Sequence, residues 1–230
     1  MVRGANRGAI VIYRVARALV LSVCKVVFLV RVEGKHHVPK RGVYIVAPSH
    51  RSILDIPFAA FATRRRLRFM AKDELFQSRL GRALFGALGA IRVERGTADR
   101  GALRASQVAL EAGEPLVIFP EGTRNAGITL GHLHDGAAYL ALKLGVPIIP
   151  VGIGGSEEIL ASGRSIPRIH KVVVVIGEPI VPAPADGTRR RSAVQAITTE
   201  LRERLQSCFD EALRAANGSG TFVHQRGERR

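Results

Sequence analysis

A chain of 230 residues holds one domain, or one domain with an appended element, and can bury a single large core. Its 35 Lys and Arg outnumber 19 Asp and Glu, and the formal net charge of +16 calls for an anionic partner: nucleic acid, anionic lipid or phosphorylated small molecules. The absence of Trp and of basic stretches interleaved with aromatics argues against nucleic acid. Two isolated cysteines, Cys24 and Cys208, argue against a zinc cluster or a disulfide framework and suit a reducing, cytoplasmic setting.

Residues 1–40 carry eight Lys or Arg against one acid, Glu33. The longest uncharged interior run there, "ALVLSVC" at 18–24, is too short for a membrane span, which needs about 20 residues. A signal peptide also fits poorly, since no adequate apolar core precedes a small-residue cleavage site. On a helical wheel Arg7, Arg14, Arg17 and Lys25 share an arc of about 80° and apolar residues fill the remainder. Residues 1–25 are therefore expected to form an amphipathic helix in the membrane interface, beside anionic headgroups. A core-packing helix with a solvated basic face fits the same pattern.

From there the chain alternates. Strands are expected at 26–34, 42–48, 67–71, 90–94, 115–120, 147–153 and 171–177, from short β-branched runs bounded by Gly or Pro. Helices are expected at 52–63, 73–88, 97–113, 134–144 and 189–215. This alternation predicts an α/β fold, a mostly parallel sheet flanked by helices, over residues 26–215, with 216–230 as a disordered basic tail. In such a sheet ligands collect where strands end and helices begin. His50, Arg95 and the Glu121–Arg124 segment all follow expected strands.

"APSHRSILDIP" at 47–57 sets His50 five residues before Asp55. "SILD" is also a capping-box pattern, with Ser52 as N-cap and Asp55 reaching back, so the pair alone has a purely structural reading. A chemical reading is equally available. Imidazole is a base near neutral pH, and a carboxylate on its other ring nitrogen fixes the tautomer. Such a dyad could deprotonate a bound hydroxyl for attack on a thioester. Ser49 or Ser52 as a covalent nucleophile lacks a Gly-x-Ser-x-Gly elbow. "FPEGTRN" at 119–125 adds a Gly turn, backbone donors and an Arg fork at a strand end, the materials of a phosphate cradle. "RRRLR" at 64–68 reads as a solvated face or as a contact for phosphates or acidic carriers.

In order, "SHRSILD" (49–55), "FMAKDEL" (69–75), "IRVERG" (91–96), "FPEGTRN" (119–125) and "VPIIPVGI" (146–153) resemble the successive motifs of the 1-acylglycerol-3-phosphate (lysophosphatidate) acyltransferase family, across roughly residues 26–181. The resemblance implies an O-acyltransferase that moves a fatty acyl group from acyl-CoA or acyl carrier protein to lysophosphatidate and forms phosphatidate. It implies His50 as general base and Asp55 as its orienting partner. Lys72, Arg95 and Arg124 would contact the acceptor's phosphate, and Glu121, Gly122 and Thr123 would shape that pocket. No metal or cofactor is implied. The expected location is the cytoplasmic face of a membrane, peripheral or monotopic, with the anionic surface as partner and no nucleic acid. Where the family often has Phe-Lys-x-Gly this chain reads "LHDG" at 133–136, and Ser49 stands where Asn is common. Other acceptors, a different lysophospholipid or a glycolipid, therefore stay open. So does a non-catalytic basic protein binding membranes or nucleic acid by charge alone.

Overall fold

Short apolar runs closed by turn residues become the strands of one sheet. The computed structural model describes residues 7–72, 76–79, 82, 86, 89–93, 98–159, 168–184 and 190–218. Its strands are β1 (Arg31–Glu33), β2 (Ile45–Pro48), β3 (Arg68–Lys72), β4 (Ala90–Val93), β5 (Leu116–Val117), β6 (Ile148–Gly154) and β7 (Val173–Ile176). Its helices are α1 (Arg7–Val27), α2 (Asp55–Ala59), α3 (Ala98–Glu111), α4 (Gly136–Leu144), α5 (Ser156–Ile159) and α6 (Arg190–Asn217). Spatial order is β1-β7-β6-β2-β5-β3-β4, and every neighbouring pair is parallel except β6 with β7. This is the α/β sheet expected.

The sheet is buried on both faces because strand side chains alternate. Along β2, Ile45 and Ala47 join Leu116, Ile118 and Ile148 under α3, α4 and α6. Tyr44 and Val46 join Val117, Ile149 and Val151 under Phe58 of α2 and Cys24 of α1. The long α6 lies directly on β6. A Cβ added at Gly152 would sit 2.2 Å from the Cys208 carbonyl carbon, and one at Gly154 would sit 2.3 Å from that of Ala212. Glycine at both positions is what lets the helix backbone rest on the strand.

Several boundaries differ from expectation. The first helix extends to Val27, and only Arg31–Glu33 of the apolar run 26–34 is strand. The helix expected at 52–63 begins at Asp55, and after Ala59 tightens into a 3-10 turn, Ala60–Ala62. The segment 115–120 has a ladder only at Leu116–Val117, and helix α6 runs to Asn217, into the expected tail. The helix expected at 73–88 lies mostly outside the described residues, as does the tail from 219 onward.

Helix α1 has two unlike sides. Tyr13 and Cys24 are buried against the domain, and Arg17 donates to the Ala60 carbonyl at 2.6 Å and to the Thr63 carbonyl. Arg17 therefore belongs to the inward face. This corrects its place in the expected basic arc, since a guanidinium with two backbone acceptors on the domain is not available to headgroups. On the other side Val11, Val15, Leu19, Val23 and Val26 are 52–74% exposed. Among the described residues no helix is long and apolar enough to cross a membrane.

The "RRRLR" stretch is tied into the domain where β3 and β5 begin. Arg66 and Arg68 reach Glu114 at 3.7 and 3.4 Å, Arg65 donates to the carbonyls of Gly42 and Gly113, and Arg66 stacks over Tyr13. Burial lowers the Arg68 pKa, partly offset by Glu114. These contacts lie at the end of the parallel strands opposite the one His50 follows.

Candidate active site

Strand register builds the site. β2 pairs with β5 so that Val46 faces Val117, an offset of 71 residues. Continued past both strand ends, the same offset sets His50 opposite Glu121, and the His50 backbone N–H donates to Glu121 Oε1 at 2.9 Å. Asn125 N–H donates to the His50 carbonyl at 3.0 Å, closing the two loops on each other. On the other flank Ser49 is held by β6: its N–H donates to the Val151 carbonyl, and its Oγ accepts the Ile153 N–H at 3.0 Å.

After His50 the chain turns sharply and enters α2 at Asp55, which is 0% exposed. One carboxylate oxygen, Oδ2, gathers the turn. It accepts the backbone N–H of Arg51 at 2.5 Å and of Ser52 at 2.7 Å, and lies 3.1 Å from His50 Nδ1. Half of the capping box is thus present, because Asp55 does reach back to the Ser52 N–H. The other half is not: the Ser52 hydroxyl accepts from Leu54 N–H at 3.3 Å, and the helix starts three residues later. The structural and chemical readings of the pair coincide in one oxygen. Imidazole Nδ1–H donating to this carboxylate leaves Nε2 with its lone pair. The ring is stacked on Phe119 at 4.1 Å between centroids, and its side chain is 15% exposed, enough for a substrate to reach.

Beneath the loops lies a buried ion pair. Arg51 Nη1 donates to both oxygens of Glu121 at 3.0 Å and to the His50 carbonyl at 2.9 Å. Its Nε and Nη2 donate to the carbonyls of Gly127 and Thr129, and the guanidinium lies 4.6 Å over the Phe209 ring of α6. Glu121 Oε2 also accepts from Asn125 Nδ2 and Gly131 N–H, each at 2.8 Å. Both of its oxygens are thus engaged within the protein, so Glu121 shapes the loops rather than facing a ligand. Arg51 is the residue that sequence reasoning missed. Its signal was only its place beside His50, because the partner lies 70 positions away and is found by register.

The turn after β5 carries Gly122, Thr123 and Arg124, all exposed. Gly122 has φ +67°, and a Cβ there would meet the His134 ring at 2.8 Å, so this turn requires glycine. Lys72 closes β3, the strand next to β5, and Arg95 lies outside the described residues. Glu157, in the first turn of α5, has its carboxyl pKa raised, chiefly by burial, against the lowering influence of the Gly127 backbone and Arg51. Among the described residues no group of three or more His, Cys, Asp or Glu is placed to hold a metal ion.

Comparison with known proteins follows the same segments. The model of the family described as Acyltransferase matches residues 29–154. The chain is 27% identical to the 1-acyl-sn-glycerol-3-phosphate acyltransferase alpha of Bos taurus, over 98% of this chain and 78% of that one. It is 26% identical to the 1-acyl-sn-glycerol-3-phosphate acyltransferase of Bacillus subtilis, over 77% of this chain and 86% of that one. Among solved structures it resembles the 1-acyl-sn-glycerophosphate acyltransferase PlsC of Thermotoga maritima, with TM-score 0.64 and 27% identity over 83% of this chain and 80% of that one.

Proposed function

The chain belongs to the acyltransferase family, and on that premise we propose that it acylates the free hydroxyl of 1-acylglycerol-3-phosphate, forming phosphatidate, with acyl-CoA or acyl carrier protein as donor. The observation that carries the reading is the 3.1 Å contact between His50 Nδ1 and the buried Asp55, at the strand-end crevice and with the imidazole still accessible. Nε2 takes the proton from the acceptor hydroxyl as its oxygen attacks the thioester carbonyl. The carbon–sulfur bond then breaks, and the imidazolium returns its proton to the departing thiolate. Atoms balance between alcohol and thioester, and no oxidation state changes.

The names of the relatives support the acceptor, and the charge of +16 suits a phosphorylated lipid and an anionic donor. Lys72, Arg95 and Arg124 are the cations we assign to the acceptor's phosphate, with Gly122 and Thr123 shaping the turn beside them. The test is purified enzyme with one acyl-CoA and a panel of lysolipids. Lysophosphatidate should be the best acceptor by kcat/KM, and preference for a lysophospholipid without a phosphomonoester, or for a glycolipid, would refute the assignment.

We further propose that the enzyme works as a peripheral protein on the cytoplasmic face of a membrane, with the exposed Val11–Val26 side of α1 in the lipid interface and Arg14 and Lys25 beside the headgroups. Sinking one Leu-sized side chain into lipid contributes about 2 kcal/mol. Leu19→Glu should therefore weaken flotation with vesicles of anionic phospholipid by more than tenfold and leave the melting temperature unchanged. Undiminished flotation would mean that another surface anchors the protein.

A further inference from the structure

Helix α1 ends at Val27, and two residues later the backbone takes an uncommon turn. Leu29 has φ +46°, and among the described residues it is the only non-glycine with a positive φ. A chain leaving a helix through this region usually places Gly or Asn there, because a Cβ crowds the neighbouring carbonyl. Backbone bonds pin the turn on both sides. Phe28 N–H donates to the Cys24 carbonyl at 2.9 Å, and Val172 N–H donates to the Phe28 carbonyl at 3.0 Å. Arg31 N–H in turn donates to the Val172 carbonyl at 3.0 Å. Packing within the domain does not account for a leucine at this point, since Leu29 is 65% exposed.

Its neighbours are exposed and apolar too. Val26 lies in the last turn of α1, and Ile169, in the segment that Val172 ties to Phe28, is 78% exposed. Exposed cations, Lys25 and Arg168, flank them. Sheet register fixes where this corner stands. Arg31 faces Val173, Val173 faces Gly154, and β6 runs beside β2 with Val151 facing Pro48. Carried across the sheet, that register sets Arg31 level with Arg51. The corner is therefore at the catalytic end, three strand spacings or about 14 Å from the loop of His50. Ile53, between His50 and Asp55, is half exposed at the same end. Phe28 meets the Phe58 ring of α2 edge-on, which joins the corner to the helix that Asp55 opens.

We propose that this corner is a second lipid contact, which seats the catalytic end of the sheet against an anionic bilayer. Val26, Leu29 and Ile169 enter the acyl region, and Lys25 and Arg168 meet headgroup phosphates. Leucine occupies a backbone conformation that suits glycine because its side chain is used outside the protein. Seated this way, the dyad meets a lysolipid whose acyl chain stays in the membrane. The assignment extends the seat of α1 in the lipid interface and rests on that reading.

The chain has no Trp, so Ile169→Trp supplies a single reporter at the corner. On vesicles of phosphatidylcholine and phosphatidylglycerol in equal parts, its emission should move to shorter wavelength and be quenched by brominated acyl chains. Leu29→Asn should weaken flotation with the same vesicles about tenfold, the loss of one side chain from lipid. It should also melt about 2–4 °C above wild type, because asparagine relieves the backbone. Binding that falls while stability rises separates a lipid contact from a structural one. Flotation of wild type and of Leu19→Glu judges the seat of α1, and failure of the wild type to float would overturn both readings. If wild type floats, an unmoved Trp emission with undiminished flotation of Leu29→Asn would overturn the corner and leave the α1 seat standing. Emission that shifts with protein concentration in the absence of vesicles would equally overturn it, because a second copy of the chain would then cover the corner.

Discussion

Replacing His50 with Ala should lower kcat for acyl transfer by about 10²–10⁴-fold, the usual contribution of a positioned general base. The fold should tolerate the change. The imidazole is partly exposed, and Asp55 keeps the N–H groups of Arg51 and Ser52 on the same oxygen after the ring is gone. The variant should therefore melt within a few degrees of wild type while turnover collapses, as read by steady-state rates alongside a circular dichroism melt. Near-normal turnover would remove the base assignment. A serine nucleophile is no ready substitute: Ser49 and Ser52 are both buried, with their hydroxyls accepting backbone N–H groups.

The second large effect is on stability. Arg51→Ala removes the guanidinium that neutralises Glu121 and joins the loops after β2 and β5 to Phe209 of α6. Glu121 would then be a buried carboxylate without its cation. Breaking such a pair from one side costs about 3–5 kcal/mol, and for a domain of this size each kcal/mol shifts the melting temperature by about 2–4 °C. The expected loss is thus about 6–20 °C, with activity falling because the backbone of His50 is held by the same two side chains. Arg51→Met with Glu121→Gln discharges both partners and should recover much of the melting temperature lost in Arg51→Ala. If Arg51→Ala melts like wild type, the pair does not hold the loops.

The central strands were legible because burial on both faces demands unbroken apolar runs. "YIVAP" and "PIIPVGI" could hardly be anything else. The polar ends of those strands were legible for the same reason, since His50 and Glu121 follow a run each. What linear reading missed depends on register and on packing between distant segments. The Arg51–Glu121 pair joins residues 70 positions apart, brought together by the β2–β5 register that sets His50 opposite Glu121, which no local pattern encodes. Arg17 lay on the same wheel as Arg14 and Lys25, yet its head found carbonyls at Ala60 and Thr63, which a wheel cannot display. The β-branched residues Val26 and Val27 read as strand but continue α1, where burial of Cys24 and the edge-on contact of Phe28 with Phe58 outweigh their propensity.

The account turns on His50 and Asp55 acting as one unit on the acceptor hydroxyl, and a double-mutant cycle on kcat tests that most directly. Residues that share one step lose their effect together. With His50→Ala and Asp55→Asn measured singly and combined, the combined variant should be no slower than His50→Ala alone, the carboxylate having nothing left to orient. Losses that multiply across the two substitutions would contradict the dyad, since each side chain would then be acting on its own.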